Sequence, residues 1–187
     1  MPVKPYVGTI ADDTETWSAQ GGDGYIFATR IIANMSVIAT SIGALVACSD
    51  ENMKLALYDH NSGDNEPENL LGYSGIITNS AEFNTPEWTF SNLNTPVYLE
   101  RGTYYWAAIM FQYGTGETGS DAMRYFHGST TDKRLCRLFA DYWPDYPDPF
   151  GTPSQSINNF SPNLHFMARG DLDITPSPVA RNKDADW

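Results

Sequence analysis

Tyr104-Tyr105-Trp106-Ala107-Ala108-Ile109-Met110-Phe111 has no polar face. At the two-residue period of a strand, Tyr104, Trp106, Ala108 and Met110 share one side, and Tyr105, Ala107, Ile109 and Phe111 the other. Aromatic and branched side chains suit a pleated strand. One face of a sandwich strand ordinarily meets water, so an apolar second face calls for a cover. The irregular last third of the chain could supply it. A neighbouring subunit could also do so, and that is the expectation adopted here, with Tyr104, Tyr105 and Trp106 as the candidate interface strand.

The same kind of pattern extends outward. In Met53-Lys54-Leu55-Ala56-Leu57-Tyr58, Met53, Leu55 and Leu57 point one way and Lys54, Ala56 and Tyr58 the other. From Met35 to Ala47, Ile38, Thr40, Ile42, Ala44 and Val46 fall on one parity, and the opposite parity is also small or apolar. This strand too is expected to be covered on both sides. Strands are further expected at Tyr25–Ile32, Leu70–Thr78, Glu87–Leu93 (with Trp88 and Phe90 on one face), Val97–Leu99, Ala122–His127 and Asn163–Arg169. Asp132–Ala140 reads as a helical turn or a short strand.

Asp59-His60-Asn61-Ser62-Gly63-Asp64-Asn65-Glu66-Pro67 supplies Asx-turn and positive-φ residues that reverse the chain. The seven or so short strands up to Phe111, with a turn signal about every ten residues, predict an all-β sandwich or barrel, and an antiparallel β-sandwich is the fold expected. Residues 1–24 read as an extended N-terminal arm, 25–170 as the sandwich domain and 171–187 as a C-terminal arm.

The chain has 187 residues, 41% of them hydrophobic and 13% aromatic, enough for one domain with a real core. Its 23 Asp and Glu against 11 Lys and Arg give a net charge of −12. Such a surface repels phosphate, which argues against nucleic acid as a partner. The opening Met-Pro-Val-Lys-Pro-Tyr has no apolar leader core, and no stretch reaches the roughly 20 apolar residues of a membrane span. Synthesis and initial residence in the cytoplasm, and no membrane partner, are expected. Cys48 and Cys136 form no zinc or redox spacing, and Cys48 reads as a buried thiol. Asn34-Met35-Ser36 and Asn159-Phe160-Ser161 match the glycosylation tripeptide by accident if no secretory signal is present.

Catalysis is not expected. There is no nucleophile elbow, zincin or phosphate-loop motif, and His60, His127 and His165 lie in unrelated contexts. Asp141, Asp145 and Asp148 offer the chemistry of paired carboxylates, but their spacing selects none of them. Asp50, Glu51, Asp59, Asp64 and Glu66 flank one strand without a calcium-loop register. No metal or cofactor is expected.

Asp141 to Pro153 holds four prolines among aromatic rings. Tyr142, Trp143, Tyr146 and Phe150 form a low-entropy platform with three readings. They can stack on the C–H face of a sugar beside carboxylates, anchor another subunit, or cap one end of the sandwich.

The succession Met53-Lys-Leu-Ala-Leu-Tyr-Asp59, a turn, Leu70-Leu71, Trp88-Thr-Phe90 and Leu99-Glu-Arg-Gly-Thr-Tyr-Tyr-Trp-Ala-Ala-Ile109 resembles a known group. These are jelly-roll-like β-sandwich domains of bacteriophage virion proteins and of some secreted adhesion or sugar-binding modules. The closing Phe166-Met-Ala-Arg169 also fits, and the likeness is concentrated in Met35–Phe111. The acidic turn Asp59–Glu66 departs from the small-residue turn of the group. The resemblance implies a non-enzymatic virion subunit: a capsid decoration (cement), head-fibre or tail-associated protein. Its implied partners are major capsid or tail proteins and further copies of itself. The alternative it leaves open is a carbohydrate-binding module whose glycan site is the aromatic loop.

Overall fold

The computed structural model describes residues 6–8, 25–47, 49–80, 87–112, 122–123, 134–139, 142–158 and 166–172. Every regular element among them is a strand: β1 (Tyr6–Gly8), β2 (Tyr25–Ile32), β3 (Val37–Ala47), β4 (Ser49–Asn61), β5 (Glu66–Tyr73), β6 (Ile77–Ser80), β7 (Glu87–Leu99), β8 (Tyr104–Phe111), β9 (Ala122–Met123), β10 (Arg134–Phe139), β11 (Gln155–Asn158) and β12 (Phe166–Leu172). They pair antiparallel into two sheets packed face to face. The first runs β1-β12-β3-β7 with β9 beside β3, and the second β11-β10-β2-β8-β4-β5 with β6 beside β4.

Between β1, β2, β3, β4, β5, β7, β8 and β12 the chain changes sheet at every step except the β4–β5 hairpin. The resulting neighbours, β1-β12-β3-β7 facing β2-β8-β4-β5, have jelly-roll order. The β10–β11 hairpin extends the second sheet past β2.

Strand alternation builds the core between the sheets. Met53, Leu55 and Leu57 of β4 meet Tyr105, Ala107, Ile109 and Phe111 of β8 there, with Phe27, Ile31, Val37, Ile42, Ala44, Val46, Val97 and Leu99. The parities expected for β4 and β8 are those observed. That of β3 is not uniform: Val37 and Ala39 face the core, then Ile42, Ala44 and Val46 do, while Ile38 faces solvent. Against β12, the consecutive Arg169 and Gly170 pair with Ser41 and Ala39, so Thr40 is an extra residue in β3 that moves the alternation by one.

Several boundaries differ from expectation, and the single strand expected over Leu70–Thr78 is divided between β5 and β6. Tyr6–Gly8, assigned to an N-terminal arm, pairs with Gly8↔Met167 through Tyr6↔Arg169, and Val7 is buried in the core. The closing strand continues through Asp171 and Leu172, two residues placed in the C-terminal arm. Glu87–Leu93 and Val97–Leu99 are one strand, because β7 lies at a sheet edge where Pro96 removes no ladder bond. The remainder of both arms and the expected strand to His127 beyond Met123 lie outside the described residues.

Turn chemistry follows the sequence. Asn61 Oδ1 accepts from the Gly63 N–H at 2.9 Å, and Asn65 closes the turn at φ 59°. In Glu100–Thr103 the Thr103 N–H donates to Glu100 O at 3.1 Å, and Gly102 sits at φ 83°, where a side chain is strained. Gly102 is the glycine of Leu99-Glu-Arg-Gly-Thr-Tyr-Tyr-Trp106, and that stretch therefore encodes a turn.

At the β12 irregularity, a Cβ on Gly170 would lie 1.7 Å from the Ile38 carbonyl oxygen. Gly170→Ala is expected to cost about 1–3 kcal/mol or more, because only backbone movement relieves the clash. Gly75→Ala, with nothing within 4 Å, should stay within about 0.5 kcal/mol of the parent when both variants are compared with it by urea titration.

Candidate functional site

The segment 142–150 connects to the β10–β11 hairpin and lies across the outer face of the second sheet. That face is apolar because Ile26 and Ala28 of β2, Trp106, Ala108 and Met110 of β8, and Ala56 and Tyr58 of β4 all point outward, and Tyr146 and Phe150 bury it. Phe150 is fully buried and meets the Tyr58 ring edge-on at 5.1 Å and 89°. Tyr146 approaches the same ring at 6.2 Å and 75°.

Polar groups fix this strap in register. The Tyr146 hydroxyl donates to Lys54 O at 2.6 Å, and the Tyr58 hydroxyl to Pro147 O at 2.9 Å. The Lys54 ammonium donates to Pro144 O at 2.6 Å and sits 4.7 Å from the centre of the Tyr73 ring. At the far end, the Leu70 N–H donates to an Asp148 carboxylate oxygen at 3.0 Å and the Phe150 N–H to Glu68 O at 2.8 Å. The bonds of Tyr146, Tyr58 and Lys54 are buried or part-buried and satisfy donors that burial would otherwise leave unpaired, while the Asp148 bond is exposed.

The cover expected from a neighbouring subunit is thus supplied by the chain itself. Tyr105 belongs to the core between the sheets, and its hydroxyl accepts from the Glu100 N–H at 2.8 Å. Trp106 is 0% exposed, and its indole N–H donates to His60 Nδ1 at 3.1 Å. Tyr104 is half-buried under the Arg30 guanidinium, 4.4 Å from its ring centre, and beside the His60 ring. These three residues do not form an open interface strand. Of the four loop rings, Tyr146 and Phe150 are in the local cluster, Trp143 packs half-buried against it, and Tyr142 remains 41% exposed.

Burial sets the ionisation of the strap. Desolvation pushes the Tyr58 phenol far above its ordinary range, with Asp148 and Tyr142 adding to the effect. Desolvation, then Tyr58, raise the Tyr146 phenol well above its usual value, while a hydrogen bond at the Met110 backbone opposes them. The Lys54 ammonium is pulled down by desolvation and partly restored by Asp145. Lys54 is 6% exposed. The segment therefore contains two phenols that resist losing a proton and one ammonium that gives one up more readily.

The carboxylates singled out in the sequence separate. Asp148 secures the strap, Asp145 stands near Lys54, and Asp59 receives both the Asn69 backbone and side-chain amides at 2.6 and 2.8 Å. Asp64, Glu66 and Glu68 line an open cleft of about 220 Å³ against Pro149 and Thr152. Among the described residues no group of three or more His, Cys, Asp or Glu converges as metal ligands would. Asp141, His127 and His165 lie outside the described residues, as does Cys48, and nothing is described of the Asp50, Glu51 and Cys136 side chains. No helix among the described residues is long and apolar enough to cross a membrane.

No protein-family model matches the chain, and no curated protein matches it in sequence.

Lys54, Tyr58 and Ser74 are anchoring residues that the sequence reading did not single out. Ser74 is fully buried; its hydroxyl accepts from the Leu55 N–H at 2.9 Å and donates to Gly75 O at 2.7 Å. Lys54 and Tyr58 carried a usable signal, since both occupy the outward parity of β4 whose β8 counterpart is wholly apolar. The carbonyls they reach lie about ninety residues away and leave no local pattern.

Two outcomes follow from the strap. Phe150→Ala should destabilise by about 3–5 kcal/mol, as for a buried ring, and Tyr142→Ala by no more than about 0.5 kcal/mol, read from denaturant midpoints. Because both phenols hold their protons in the folded state above the ordinary value of 10.0, the folded chain there binds more protons than the unfolded one. Their stabilisation is complete below about pH 10 and declines as pH rises further. Lys54 acts in the opposite sense, gaining with pH up to its ordinary 10.5. Urea midpoints from about pH 8 to about pH 11 should fall at the alkaline end, and the Tyr58→Phe, Tyr146→Phe double variant should fall less.

Proposed function

We propose that this protein is a non-enzymatic structural subunit of a bacteriophage virion, a capsid decoration, head-fibre or tail-associated protein that binds other virion proteins and copies of itself. The observation that carries the reading is the strand order. The segments bearing the resemblance, Met53–Tyr58, Leu70–Leu71, Trp88–Phe90 and Leu99–Ile109, fall in β4, β5, β7 and β8 of a jelly roll. Their conspicuous residues serve turns and packing: Gly102 at positive φ, Trp106 and Tyr58 in the strap cluster. Such a chain is a rigid scaffold, and its function lies in what it presents.

Contact with a partner requires surface outside the strap cluster. Ile38 and Tyr98, cross-strand neighbours on the outer side of the first sheet, are 40% and 50% exposed. The purified protein, added to virus particles assembled without it, is expected to cosediment with them and to show an oligomer by native mass measurement. The Ile38→Asp, Tyr98→Asp double variant should reduce that association while keeping the parent's thermal midpoint. A monodisperse monomer that fails to bind such particles contradicts the proposal.

One observation favours a second reading, glycan binding. The Tyr142 ring is exposed beside half-buried Trp143, with the Asp145 carboxylate close by in sequence. Tyr146 and Phe150 are buried, so in this reading the stacking falls to the exposed Tyr142 ring beside Trp143. Glycan-array binding lost in Tyr142→Ala would support it, and an array without hits would remove it.

A further inference from the structure

We draw no further inference here: the strongest candidate, the open cleft between the β4–β5 turn and Pro149–Thr152, is a cluster of carboxylates at which no second observation points to a ligand.

Discussion

The fold depends on covering the outer face of the second sheet. A jelly roll buries one face of each sheet against the other, and water ordinarily accepts the remaining two. Here β2, β4 and β8 present Ile26, Ala28, Ala56, Tyr58, Trp106, Ala108 and Met110 on a face with no opposing sheet. At roughly 25 cal/mol per Å² of apolar surface, an uncovered face of this kind would be a strong drive toward association. The strap removes that drive within one chain, and Phe150 and Tyr146 fill the space a third layer would occupy.

The attachment is polar in a particular way. Tyr58, Tyr146 and Lys54 each bury a donor, and each donor meets a carbonyl across the strap-to-sheet junction. Apolar contact alone would let the segment slide over a smooth surface. Fixed donors penalise every register but one, since a misplaced strap leaves buried polar groups without partners. Asp148, through an exposed hydrogen bond, and the Phe150 amide add further attachment at the end near β5. The aromatic loop that reads as a recognition platform is therefore in large part a piece of interior, with Tyr142 left outside.

Local rules made much of this legible. Alternation placed the residues of β4 and β8 on their correct faces, and Asn61, Gly63 and Gly102 marked turns that form as their chemistry requires. The need for a second cover on β8 was also readable from its two apolar parities. The identity of that cover was not, because proximity between Tyr58 and Pro147 is a property of the closed fold. Nor was the parity change in β3, where a bulge against β12 makes Ile42 rather than Ser41 follow Ala39 in the inward series without altering composition. Val7 joins the core through three residues of pairing, too few to stand out from a polar segment.

The most direct test of the claim that the chain seals its own second sheet is an isotope-filtered nuclear Overhauser experiment on a mixture of labelled and unlabelled protein. The account predicts contacts between the Phe150 ring and Tyr58, and between Tyr146 and Ala108, that appear within uniformly labelled molecules and are absent from the filtered spectrum of the mixture. Those contacts appearing across labelled and unlabelled chains, or vanishing on dilution, would show that a neighbour provides the cover and would contradict it.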